Sequence, residues 1–146
     1  MSFQRVLIAV DDGPLAARAA DVGLDLARKL GAELAFVHVA YLIPALAYAG
    51  ALVPEERLPG APVQDGRKLL AKFAARAQWD HAPTEFVPVG RPADEIVRTA
   101  KDWGADLIVL GSHGRSGVKR ALLGSVAEEV LRGAHCAVLV VRPAQG

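Results

Sequence analysis

Arg5 to Val10 reads RVLIAV, a nearly continuous apolar run of the kind needed by a strand that is covered on both faces. Asp11, Asp12, Gly13 and Pro14 break the run. From Leu15 the apolar positions Leu15, Ala19, Val22, Leu26 and Leu30 recur every three or four residues until Gly31, which predicts an amphipathic helix with a glycine stop. Glu33 to Val39 (ELAFVHV) predicts a second strand, and Arg67 to Trp79 a second helix with Leu70, Phe73, Ala74 and Ala77 turned inward. Between them Tyr41 to Asp65 carries Pro44, Pro54, Pro59 and Pro62 with Gly50 and Gly60, so it reads as a long irregular connection. Its apolar stretch Leu42 to Val53 fits either a short helix or a lid.

Thr84 to Val89 predicts a third strand, placed at a sheet edge by Pro88, which has no N–H to donate to a ladder. Gly90, Arg91 and Pro92 turn the chain into a helix over Ala93 to Trp103, with Ile96, Val97 and Ala100 at helical spacing. Asp106 to Leu110 is a fourth buried strand, a helix follows near Val126 to Arg132, and Ala137 to Val141 is a fifth strand. The order βαβαβαβαβ implies an α/β fold, a mostly parallel sheet with helices on both faces and right-handed crossovers. At 146 residues the whole chain, 1–146, fits one domain. In such sheets ligands gather at the carboxyl ends of strands where strand order reverses, which directs attention to Asp11 to Pro14 and Gly111 to Ser125.

Composition narrows the classes. Hydrophobic residues at 52% and charged residues at 23% suit a folded α/β domain rather than a disordered chain. A net charge of +1, with no aromatic stacking motif, argues against nucleic acid as a partner. No run approaches the roughly 18 apolar residues of a spanning helix, and the start MSFQRVLIAVDDG lacks the apolar core and cleavage site of a signal peptide. The expected location is therefore cytoplasmic, away from membranes. Cys136 has no partner cysteine in the chain and reads as a small core hydrophobe.

The segment GSHGRSGVKRALLGSVAEEV, from Gly111 to Val130, holds the candidate chemistry. It is neither the P-loop pattern G-x-x-x-x-G-K-S/T nor the dinucleotide fingerprint G-x-G-x-x-G. It is G-x-x-G at Gly111 and Gly114, nine residues, then Gly124-Ser125. Gly111 and Gly114 let backbone approach a flat ligand or its phosphates. Gly124 and Ser125 open a helix whose free N–H groups and positive dipole end attract an anion. Arg115, Lys119 and Arg120 offer counter-charges. A purely structural reading stands beside this: Ser125 and Glu128 match the capping box S-x-x-E, and the glycines are then turn residues.

Other residues carry alternatives of the same kind. Asp11, with Asp12 beside it, suits contact with a ribose, base or metal, and equally a turn or helix cap. His113 is either a phosphate contact or a polar turn residue, whereas His38 on an apolar strand reads as a satisfied core histidine. No His, Cys and carboxylate spacing suggests a transition-metal site. Mg2+ carried by phosphates is the metal to expect.

These features together resemble the universal stress protein family in its ATP-binding branch. The carrying stretches are VLIAVDDG, FVHV, VGRPADEIVRTA, ADLIVLGSHG, the glycine motif and the closing VLVVRP, which span nearly the whole chain. The resemblance implies a single-domain Rossmann-like three-layer sandwich with a five-stranded parallel sheet ordered 3-2-1-4-5, and a homodimer through Ala137 to Val141. It also implies ATP as ligand. Carried over by position, Ala9 lines the adenine pocket beside Asp11. Val39 and Leu110 take the places after the second strand and before the first motif glycine. Gly111 and Gly114 contact ribose and phosphates, and Gly124, Ser125 and Val126 hold the phosphates, with His113 and Arg115 in the loop between. Members of the family often read D-G-S or D-F-S after the first strand. Asp11-Asp12-Gly13-Pro14 lacks that serine and adds a negative charge at the mouth.

Phosphoryl transfer needs a positioned nucleophile and base as well as a charge clamp, and the loop supplies cations without an evident base. The leading expectation is a nucleotide-dependent signalling module whose ATP occupancy sets a conformational state or binding to a protein partner. One rival is a slow ATPase, or a phosphotransferase that modifies itself on Ser112, Ser116 or Ser125. Another is a nucleotide-free dimeric interaction module.

Overall fold

A computed structural model describes residues 2–40, 61–113 and 123–144. Strand β1 (Arg5–Ala9) lies at the middle of the sheet, and its Val6, Leu7 and Ile8 are completely buried. Side chains alternate across a strand, so Val6, Ile8 and Val10 enter one hydrophobic core while Leu7 and Ala9 enter another on the opposite face. That double burial explains the unbroken apolar run.

The remaining elements follow in strict alternation: α1 (Ala16–Leu30), β2 (Glu33–Val37), α2 (Ala61–Ala77), β3 (Thr84–Phe86), α3 (Pro92–Trp103), β4 (Leu107–Gly111), α4 (Ser125–Gly133) and β5 (Ala137–Val141). The sheet is parallel in the order β3-β2-β1-β4-β5. Residues of α1 and α2 fill the first core, and residues of α3 and α4 the second, giving the expected three-layer Rossmann-like sandwich. Asp106 fixes the register of the central pair from below. Its Oδ2 accepts the N–H groups of Gln4 at 2.8 Å and Arg5 at 3.0 Å, tying the start of β1 to β4.

Several local expectations are corrected. The buried face of α1 is Ala16, Ala19, Ala20, Gly23, Leu24 and Ala27, and Leu30 of the expected stripe is 41% exposed. Small residues win because α1 lies close over β1: a Cβ on Gly23 would stand 2.6 Å from Ile8 Cδ1. Helix α2 begins at Ala61, six residues before Arg67, so the irregular connection does not extend to Asp65. Pro62 is tolerated in a first turn. Gly66 is demanded by packing, since a Cβ there would approach Val87 Cγ1 to 2.7 Å and His38 Cδ2 to 2.8 Å. The reading of Leu42 to Val53 as helix or lid lies outside the described residues.

Strands β2 and β3 stop at Val37 and Phe86, short of Val39 and Val89, yet the two chains stay side by side. His38 N–H donates to the Phe86 carbonyl at 3.0 Å and Ala40 N–H to the Pro88 carbonyl at 2.8 Å. β3 is an edge strand, as Pro88 requires. Strand β4 runs one residue further than expected, so Gly111 pairs with Val141 inside the sheet rather than following it.

Candidate functional site

Strand order reverses at β1, whose neighbours β2 and β4 lie on its opposite sides, and in open sheets of this kind ligands bind at the carboxyl ends of the strands beside such a switch point. After β1 the chain turns sharply because Asp11 Oδ1 accepts the Gly13 N–H at 2.8 Å, a side-chain turn of the kind aspartate favours. Half-buried Asp11 thus fulfils the turn reading, two residues beyond the end of β1.

The end of β4 is joined to the start of α4. Gly124 N–H donates to the Ser112 carbonyl at 2.7 Å, and a Cβ on Gly124 would stand 2.9 Å from that same oxygen. Glycine is required here by close approach, its φ of −65° being open to any residue. Gly111 is nearly as tight, its Cβ position lying 3.1 Å from Leu15 Cγ at the start of α1. The first and last parts of the glycine motif are therefore brought together around one peptide.

Gly124, not Ser125, is the N-cap of α4, and no side chain caps it among the described residues. The expected capping box is not formed. Ser125 is the exposed first residue of the helix, and Glu128 instead pairs with Arg132 at 2.6 Å. The start of α4 is left with backbone N–H groups and a dipole end, features that favour an anion.

The apolar candidates share one place. Ala9 and Leu110 belong to the core on the α3 and α4 side of the sheet, and Val39 and Val126 pack against that same core. Gly111, His113 and Gly124 are half-buried. Gly114 and Arg115, with Ser116, Lys119 and Arg120, lie outside the described residues. His38, as expected, is satisfied internally, its Nδ1 lying 2.9 Å from the Val10 carbonyl.

Two features escaped the sequence reading. Arg91, at the N-cap of α3, pairs with Asp94 and with Glu129 of α4, each at 3.3 Å. It lines a groove of about 380 Å3 with Pro92, Ala93, Ser125, Val126 and Glu129, so the groove opens onto two of the predicted positions. The G-R-P turn was its signal. The second is the role of the Ser112 carbonyl, which holds α4; the residue itself, named above as a candidate for self-modification, is only 2% exposed. Cys136 is half-buried, and burial, then the nearby Asp106 charge, push its thiol pKa up against a smaller lowering by a hydrogen bond with the Ile108 backbone.

A model of the universal stress protein family matches residues 2–142. This chain belongs to the universal stress protein family. It is 36% identical to the universal stress protein YxiE of Bacillus subtilis over 148 aligned positions, covering 96% of this chain and 99% of the relative. Among solved structures it superposes on protein MJ0577, a universal stress protein of Methanocaldococcus jannaschii, with a TM-score of 0.84, full coverage of both chains and 24% identity, a likeness of fold. A universal stress protein solved in complex with cAMP matches at 26% identity and a TM-score of 0.70, covering 99% of this chain and 100% of that one. Among the described residues of this universal stress protein, no helix is long and apolar enough to cross a membrane.

Proposed function

We propose that this chain is an adenine-nucleotide-binding stress-response module, one domain over 1–146, that takes ATP at the carboxyl ends of β1 and β4. The observation that carries the reading is the 2.7 Å clamp from Gly124 to the Ser112 carbonyl, with no room for a Cβ. It sets a bare helix N-terminus against the strand end where a nucleotide's phosphates need N–H donors. Ala9, Val39, Leu110 and Val126 supply the apolar wall for the base, with Asp11 at its edge. Gly111, Gly124, Ser125 and His113 then meet the ribose and phosphates, and Gly114 and Arg115 join them on sequence grounds. The related protein solved with cAMP supports an adenine nucleotide as the ligand class.

Mg2+ enters with the phosphates. Phosphate oxygens hold the ion, which offsets part of their charge. The Asp11 carboxylate accepts the Gly13 N–H and holds the turn after β1. The module senses ATP with at most slow hydrolysis, and passes its state to a protein partner in the cytoplasm. β5 ends the sheet with Ala137 exposed and Val138, Leu139 and Val140 half-buried. Pairing of Ala137 to Val141 with a second copy would cover that edge.

Calorimetry of nucleotide-stripped protein with ATP and Mg2+, AMP and cAMP tests the reading, with turnover followed in parallel. Saturable micromolar binding supports it. No heat at millimolar nucleotide overturns it, and turnover on the order of 1 s−1 or faster replaces the sensor with an enzyme.

A further inference from the structure

Ser112 is almost completely buried, and all three of its polar groups are engaged. Its N–H donates to the Val141 carbonyl at 2.8 Å and its carbonyl accepts from Gly124, while its hydroxyl lies 3.0 Å from His113 Nδ1. On the other side of that ring, Nε2 is buried with no hydrogen-bond partner among the described residues.

Proton counting decides the tautomer. Were Nδ1 to carry the proton and donate to Ser112, both the serine hydroxyl proton and the Nε2 lone pair would lack partners. With Ser112 donating to Nδ1, only one group, Nε2–H, is left over. A buried polar group without a partner is uncommon and calls for one. The root of His113 stands at the mouth of α4, its Cα 3.4 Å from where a Cβ on Gly124 would be. An acceptor arriving there is favoured if it is anionic.

We infer that Ser112 is a positioning residue that holds His113 in its Nε2–H form, so that the imidazole donates to a phosphate oxygen of the bound nucleotide. This rests on the nucleotide reading above. It makes His113 a phosphate reader rather than a contact to adenosine, and gives the serine of the G-S-H-G stretch a role that acts through its neighbour.

The test combines imidazole 15N spectra with calorimetry of the full chain, using ATP with Mg2+ and, separately, adenosine. Free wild-type protein is expected to show a protonated Nε2 and a bare Nδ1 on His113, and Ser112→Ala a mixture of tautomers. His113→Ala should weaken ATP about tenfold, the loss of roughly one hydrogen bond to a charged group, and Ser112→Ala about twofold, because the tautomer mixture halves the competent fraction, with adenosine unchanged by either. His113→Gln, whose amide nitrogen reaches near the Nε2 position, should recover most of the ATP affinity. A proton on Nδ1 in the wild type overturns the inference, as does equal weakening of ATP and adenosine, which marks a merely structural role. Unaltered ATP affinity in the variants overturns it while leaving the nucleotide reading intact. A wild type that binds no adenine nucleotide overturns both.

Discussion

Replacing Ser125 by glutamate should make the protein more stable and a poorer nucleotide binder, two effects that a purely structural loop would not separate. Ser125 is the exposed first residue of α4, and its hydroxyl does not cap the helix, so folding loses nothing when it goes. A carboxylate in the first turn interacts favourably with the helix dipole by about 0.3–1 kcal/mol, which for a domain of this size raises the melting midpoint by about 1–4 °C. The same charge faces the phosphates. Two unit charges 4 Å apart repel by about 1 kcal/mol even in bulk water. A triphosphate sets at least two such charges there, so the penalty is about 2 kcal/mol and Kd rises roughly 30-fold. Thermal denaturation gives the first quantity and calorimetry the second, with Ser125→Gln as the uncharged control. The penalty should shrink as salt is raised. Raised stability with unchanged or tighter ATP binding would refute the placement of phosphates at α4.

Two further outcomes follow from the same geometry. Gly124→Ala forces a Cβ to within 2.9 Å of a backbone oxygen that cannot rotate away; overpacking of this kind costs about 1–3 kcal/mol, so the midpoint should fall by about 3–10 °C, and an unchanged midpoint would contradict the clamp. Cys136 has a thiol pKa raised by burial and then by Asp106, so the folded chain holds the thiol proton more tightly than the unfolded chain. Its contribution is whole below the ordinary thiol range and is lost as pH climbs through it. Urea titrations should show that decline in the wild type and less of it in Cys136→Ala, and a thiol reagent should label the folded chain more slowly than the unfolded one; equal labelling rates would count against the burial.

The order of elements was legible in the sequence because burial on both faces writes itself as unbroken apolar runs, as in RVLIAV and LIVL. What escaped was set by contacts distant in the chain. The face of α1 was legible in part: Leu15 and Ala19 are buried and Val22 and Leu26 pack against the core, but a helix lying this close over Ile8 centres its buried face on alanines and Gly23 and leaves Leu30 exposed. The helix start was placed at Arg67, yet Gly66 before it lies inside α2 and makes room for His38 and Val87. The capping box at Ser125 and Glu128 was plausible locally, but the Ser112 carbonyl, twelve residues upstream of Gly124, sets the helix start one residue earlier. Ser112 read only as a candidate for self-modification, and nothing in its immediate neighbours marked its carbonyl as the anchor of α4. Ala9, Leu110, Val39 and Val126, named from the family resemblance, meet in one core.

Amide chemical-shift mapping during titration with ATP and Mg2+ tests the central claim most directly, because it reads binding and place together. Saturable shifts at Gly111, Ser112, Gly124, Ser125 and Val126, with Asp11 and Val39 following and β3 silent, are the predicted result. A spectrum unchanged at millimolar ATP, or shifts confined to the separate pocket of Phe86, Thr99, Asp102 and Trp103, would contradict a nucleotide site between β1, β4 and α4.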